Sequence, residues 1–211
     1  MLPEGYFEVA AGHIAAVVTY LEVRQPPQLP EPSPAFPIER LTEPDLERYR
    51  RVFRAVGEGW LWFSRLRLSD DELAALLAHP QVDVFLLRAD NRDQGILELD
   101  RRAFPDIEIT FLGVTANLVG QGAGHALMVH AQRQAWSHNP TRLFLHTCTL
   151  DHPKALAFYQ RAGFVPYRRR IEVAPDPRLI GLLPETAAPH VPLLAKPVSP
   201  PRPNPANLEQ P

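Results

Sequence analysis

Three alternating glycines, in Val119-Gly-Gln-Gly-Ala-Gly124, follow an apolar segment and precede a helical one. Glycines at a strand-to-helix turn let successive backbone N–H groups converge on an anion, and the positive end of the helix dipole adds to the attraction. The turn is not a P-loop, which needs Gly-Lys-Ser/Thr where this chain has His125-Ala126 after Gly124. Nor is it a dinucleotide fingerprint. Counted from Gly122 the third glycine falls on Leu127, and counted from Gly120 it falls on His125. Two readings stay open on this turn alone: an anion cradle, or a tight turn with no ligand.

Other side chains could also do chemistry. Strand alternation places Glu108, Thr110 and Leu112 on one face. His146, Cys148 and His152 lie close together, but their spacing fits no zinc pattern, and no metal is expected. Trp60, Trp62 and Phe63 are suited to core packing or to the wall of a pocket for an apolar or cationic group. Arg168-Arg-Arg170 cannot all face a core and is expected on a solvated or interface surface.

The elements that must position these residues follow from period and punctuation. His13 to Val23 is rich in β-branched residues but apolar on both faces, and predicts a strand, with a helix as the alternative. Ile38 to Leu41 predicts a short strand, and Thr42 with Asp45 opens a helix that Gly57 and Gly59 end. Ser69 to Glu72 is a capping box for a second helix, which Pro80 stops. Strands are expected at Val82 to Arg88, Ile96 to Arg102 and Asp106 to Val114, the first two joined by a turn-rich loop from Asp90 to Gly95. Beyond the glycine turn come a helix to about Ser137, a strand from Arg142 to Thr147, a helix from Pro153 to Arg161 and a last strand from Phe164 to Val173. An antiparallel meander followed by alternating strands and helices implies an α/β fold with a mixed sheet.

Composition bounds the partners. Lys and Arg number 22 against 24 Asp and Glu, a net charge of −2, which provides no field for nucleic acid or an anionic membrane. One cysteine excludes an internal disulfide framework and fits a reducing compartment. Of 24 prolines, six fall between Pro26 and Pro37 and eleven between Pro175 and Pro211. Four regions result: an N-terminal extra-strand region (1–24), a Pro-rich linker (25–37), a folded domain (38–173) and a Pro-rich C-terminal tail (174–211), whose last dozen residues are expected to be disordered. The tail's Leu179, Ile180, Leu182 and Leu183 are expected at the domain surface. The start lacks a cationic signal region, and the uncharged run from Val9 to Leu21 is too short to span a bilayer. The expectation is a soluble, cytoplasmic protein without nucleic-acid or membrane partners, and a possible homodimer if the N-terminal strand pairs across subunits.

The segment Glu108-Ile-Thr-Phe-Leu-Gly-Val114 with Gly122-Ala-Gly124 resembles motif A of the GNAT superfamily of acyl-CoA-dependent N-acetyltransferases. Ala155-Leu-Ala-Phe-Tyr-Gln-Arg-Ala-Gly-Phe164 resembles that superfamily's second motif, in the right order. The resemblance covers roughly Ile38 to Val173, and His146 to Pro153 with Trp60 to Phe63 is similar to a bacterial subgroup of unknown substrate. It implies a mixed, mostly antiparallel central sheet flanked by helices on both faces, and direct attack of an amine on the thioester of acetyl-CoA, the co-substrate. The acceptor would be a small-molecule or peptide amine, and a non-catalytic acyl-CoA-binding module is the alternative.

Residue roles follow from the same resemblance. The N–H groups of Gln121, Gly122, Ala123, Gly124 and His125 would cradle the CoA pyrophosphate. Leu112 and Val114 would pair with the pantetheine arm, and the Leu112 N–H, at an expected bulge, would bind the oxyanion. Glu108 would act as general base, Tyr159 as general acid, and Trp60, Trp62 and Phe63 would line the acceptor pocket. The chain departs from the pattern at Val119, where Arg or Gln is usual, and at His152, where Asn is usual and a pantetheine-side contact is expected.

Overall fold

The computed structural model describes residues 3–31, 33 and 35–194. Seven strands form one sheet: β1 (His13–Val23), β2 (Ile38–Arg40), β3 (Val82–Ala89), β4 (Arg92–Asp100), β5 (Asp106–Val114), β6 (Arg142–Cys148) and β7 (Val165–Pro175). Among the described residues four α-helices accompany them: α1 (Leu46–Gly57), α2 (Asp70–Leu77), α3 (Ala123–Trp136) and α4 (Ala155–Arg161). The strand order is β2-β3-β4-β5-β6-β1-β7, antiparallel except for the β5–β6 pair. This is the mixed, mostly antiparallel α/β sheet expected, with helices on both faces. No helix among the described residues is long and apolar enough to cross a membrane.

Local chemistry accounts for the element boundaries. Ser69 accepts from the Glu72 amide at 3.2 Å while Glu72 accepts from the Ser69 amide at 2.8 Å, completing the box that starts α2. At α1 the cap is Asp45, which accepts from the Arg48 amide at 2.9 Å. The expected start at Thr42 fails because Pro44 disfavours helical backbone at Glu43. The expected six-residue loop between β3 and β4 is a two-residue turn, Asp90-Asn91, both residues at positive φ (49° and 58°), so β4 begins at Arg92. A bulge at Gln94 restores the alternation: Leu87 pairs with Gly95, and Arg88 with Asp93.

Each sheet face carries a core. On one, α3 lays Ala123, Leu127, Met128 and Ala131 onto Leu97, Leu99, Ile107, Ile109, Leu112 and Leu145. On the other, α1 and α2 place Tyr49, Val52, Phe53 and Leu73 onto Val84, Leu86 and Ile96. The second core draws on the segment expected as a tail. Leu183, Ala187 and Ala188 are buried in it, against Ile14 and Ala174. The buried Arg178 holds this segment folded, donating to Asp176 at 3.0 and 2.7 Å and to the carbonyls of Ala187 (3.2 Å) and Val191 (2.9 Å). Residues 195–211, including the stretch expected to be disordered, lie outside the described residues. The proline linker runs along α3, where Arg133 donates to the Pro30 carbonyl and Phe36 packs on the core.

β1 lies between β6 and β7, paired with both. It is an interior strand of its own sheet, so the expectation that it could pair across subunits is corrected: β7 covers one edge along His13–Glu22 and β6 the other along Val18–Val23.

Candidate active site

The two parallel strands diverge. β5 and β6 pair only from Asp106–Arg142 to Ile109–Leu145, after which β5 runs on to Val114 and β6 to Cys148 without pairing. The divergence starts at a bulge. Ile109 pairs with Leu99 and Phe111 with Glu98, so Thr110 is the extra residue. Its hydroxyl is buried without a hydrogen-bond partner among the described residues.

The bulge reverses side-chain parity. Ile107, Ile109 and Leu112 all belong to the α3-side core, while Phe111 belongs to the α1-side core. Glu108 therefore faces the α1 side and Leu112 the α3 side, and the expectation that Glu108, Thr110 and Leu112 share a face is corrected. The bulge also lies two residues before the expected position at Leu112. Backbone direction beyond it follows from one bond: the Thr115 amide donates to the Gln94 carbonyl of β4 at 2.9 Å. By alternation, the amides and carbonyls of Leu112 and Val114 point away from β4, into the gap that β6 has left.

The glycine turn closes one end of this gap. Gly120 and Gly122 have φ of +83° and +90°, the left-handed region that favours glycine, and Gly122 is the N-cap of α3. No side chain caps the helix. The Gln121 amide donates to the Leu118 carbonyl at 3.2 Å, so it is engaged within the turn. The other four expected amides, of Gly122, Ala123, Gly124 and His125, donate to no carbonyl among the described residues. Val119 is exposed beside them.

On the α1 side, His146 Nδ1 lies 3.0 Å from Glu108 Oε1. Parallel pairing sets Glu108 beside Phe144, so His146 follows two residues on along the same face. The hydrogen bond to Glu108 holds the imidazolium and raises the His146 pKa against the opposing pull of burial. The Tyr20 ring packs at 5.3 Å from the imidazole. His146, whose spacing to Cys148 and His152 fits no zinc pattern, is thus a partner of Glu108. The signal that could have found it is the parallel β5–β6 register.

Tyr159 is on the other side. It packs beside Phe158 and Phe164 on the α3-side core, and burial, with Asp151 nearby, pushes its hydroxyl well above the ordinary range. Asp151, also missed from sequence, ties the turn after β6 to the aromatic segment: it accepts from Trp62 Nε1 (3.1 Å), Thr147 Oγ1 (2.8 Å) and the Cys148 amide (2.8 Å). Trp62 packs against Phe53 and Phe111, whereas Trp60 lies between His152 at 5.1 Å and His190 at 5.6 Å. Trp60 and Trp62 thus reach the β6–α4 turn, while Phe63 packs on the α1-side core with Arg67 over its ring. His152 Nδ1 accepts from the Lys154 amide at 3.1 Å. Cys148 is half-buried, and burial raises its thiol to about 11.

Behind the bulge, Glu98 is fully buried. It is ion-paired with Arg65 and accepts from the Tyr49 hydroxyl at 2.7 Å, and the Arg65 guanidinium lies 5.0 Å from the Phe111 ring centroid. This buried triad fixes the strand pair at the point where the bulge forms.

A diverging parallel strand pair with a bulge and an uncapped helix start at its mouth accords with the family comparison. The model of the acetyltransferase (GNAT) family matches residues 32–164, and the chain belongs to that family. It is an acyltransferase of the GNAT type. Among solved structures, a putative GNAT-family acetyltransferase from Novosphingobium aromaticivorans is similar with a TM-score of 0.56 and 16% identity, over 79% of this chain and 68% of that one. An aminoglycoside acetyltransferase from an uncultured soil metagenomic sample gives 0.51 and 24%, over 61% and 87%. A functionally unknown conserved protein from Staphylococcus epidermidis gives 0.52 and 16%, and this chain spans 63% of its length. At these identities the likeness is one of fold. No curated protein matches the sequence.

Proposed function

We propose that this acyltransferase moves an acetyl group from acetyl-CoA directly to an amine. The observation that carries the reading is the gap between β5 and β6: outward-pointing backbone groups of Leu112 and Val114 line it, and four unengaged amides of the α3 start close it. Bound there, acetyl-CoA supplies an activated thioester. Gly122, Ala123, Gly124 and His125 hold the pyrophosphate through their N–H groups. Leu112 and Val114 pair with the pantetheine amides as an added strand would, and His152, beside Trp60, stands on the pantetheine side. The Leu112 N–H donates to the thioester oxygen as it becomes an oxyanion, a contribution of about 3 kcal/mol for one such donor.

Proton traffic separates onto the two sheet faces. Glu108, paired with His146, takes the proton that the ammonium must lose before its nitrogen attacks. As the C–N bond forms and the C–S bond breaks, Tyr159 gives its proton to the departing thiolate, and its raised pKa keeps that proton in place beforehand. Trp60 and Trp62 form one side of the acceptor space, and Phe63 buttresses them. Thiol release across a panel of amines, read together with calorimetric acetyl-CoA binding, tests the proposal. Tight binding without turnover of any amine selects a non-catalytic acyl-CoA-binding module instead, and absence of binding removes both readings.

A further inference from the structure

The outer edge of β7 pairs with no strand among the described residues. All nine residues from Val165 to Val173 are exposed. They include Ile171 and Val173, each 54% exposed, and Val17 of β1 lies beside Ile171 in the same exposed strip. A long edge with apolar side chains is a template for another strand.

The direction of its free groups can be read from β1. Val17 spends both backbone groups on the β6 side, donating to Thr149 Oγ1 at 3.1 Å and accepting from the Thr149 amide at 3.1 Å. Val17 pairs with Ile171 in register, so that pair exchanges no hydrogen bonds, and the Ile171 N–H and C=O point outward. By alternation those of Arg169 and Val173 do likewise, which makes an open ladder of three residues.

We propose that β7 pairs antiparallel with β7 of a second copy of this chain, about a two-fold axis at Ile171, joining two seven-stranded sheets into one. Charge selects this axis. Centred on Ile171, the two-fold sets Arg170 opposite Glu172 of the partner subunit, twice, and exchanges backbone bonds at Ile171 and between Arg169 and Val173. An axis at Arg169 or Arg170 would set arginine against arginine, and one at Glu172 would set glutamate against glutamate. Pro166 and Pro175, which lack N–H groups, bound the ladder at its two ends.

The test is the mass of the full chain by sedimentation equilibrium. Twice the 23.7 kDa chain mass is expected. Glu172→Arg, which opposes arginines across the axis, should weaken association at least tenfold, and Arg170→Glu combined with Glu172→Arg should restore it. Ile171→Cys in a Cys148→Ser background should cross-link to itself under mild oxidation, because only the residue on the axis meets its own copy, whereas Val173→Cys should not. Far-UV circular dichroism checks that each variant is folded. A monomer at every concentration, a dimer indifferent to Glu172→Arg, or a dimer in which Ile171→Cys fails to cross-link overturns the proposal.

Discussion

Gly124 and Gly122 separate a glycine that the proposed donor site requires from one that the backbone requires. Gly124 lies in the first turn of α3 at an ordinary helical φ, and a methyl group added there meets only Phe158 Cζ, at 4.0 Å. Alanine at such a site restricts the unfolded chain and stabilises by about 0.4–1 kcal/mol. For a chain of this length that raises Tm by about 1–4 °C. The same methyl leans toward the helix N-terminus, where the donor phosphates are proposed to sit. Displacing one oxygen from its amide costs about 1.5–3 kcal/mol, a loss of roughly ten- to 150-fold in acetyl-CoA affinity. Gly124→Ala should therefore melt higher and bind worse, read by a thermal melt without ligand and by calorimetric titration with acetyl-CoA. Gly122→Ala is the control: at φ +90° it should lose about 1–2 kcal/mol of stability, with the opposite sign in the melt. A higher Tm with unchanged affinity would refute the placement of the donor, and a lower Tm would refute the conformational argument.

Two further outcomes follow from the site. In Glu108→Gln the His146 pKa should fall toward its ordinary value of about 6.5, followed by NMR of the imidazole protons. Because the folded pKa is raised, the pair's contribution to stability is full below the unfolded value and fades as pH rises through the folded one. Glu108→Gln should remove that dependence, and an unchanged His146 titration would exclude the pair. Arg65→Met strands the Glu98 carboxylate in a fully buried position and should cost about 3–5 kcal/mol in urea unfolding. Adding Glu98→Leu should recover most of the loss, and a cost below about 1 kcal/mol for the single change would show the charge is not sequestered.

What could be read in advance was local. The Ser69–Glu72 box and the glycine turn each declare themselves within a few residues, through caps and positive φ, and their structure follows closely. The bulge at Thr110 does not. It adds one residue to a strand without changing local composition, so alternation counted along β5 set Glu108 and Leu112 together when the fold sets them apart. His146 was missed for a related reason: its partner is 38 residues away, and only the β5–β6 register joins them. The region 174–211 reads as a tail because prolines dilute its apolar residues, yet its segment 176–191 packs on the domain. It folds in through Arg178, whose guanidinium binds carbonyls far along the chain, a role no pattern marks.

The place of β1 has a consequence for how the molecule assembles. Among the described residues β7 has only β1 as a neighbour, and β6 needs β1 on its outer side, so the first of these seven strands in chain order waits for the last two. Until then its apolar side chains have no sheet to join. Gly12 accepts from the Asp176 amide at 2.8 Å and donates to the Leu194 carbonyl at 3.0 Å, so the seam between the segments flanking β1 and β7 is stitched last. Such long-range closure makes for slow folding and a prolonged exposure of sticky strands during synthesis.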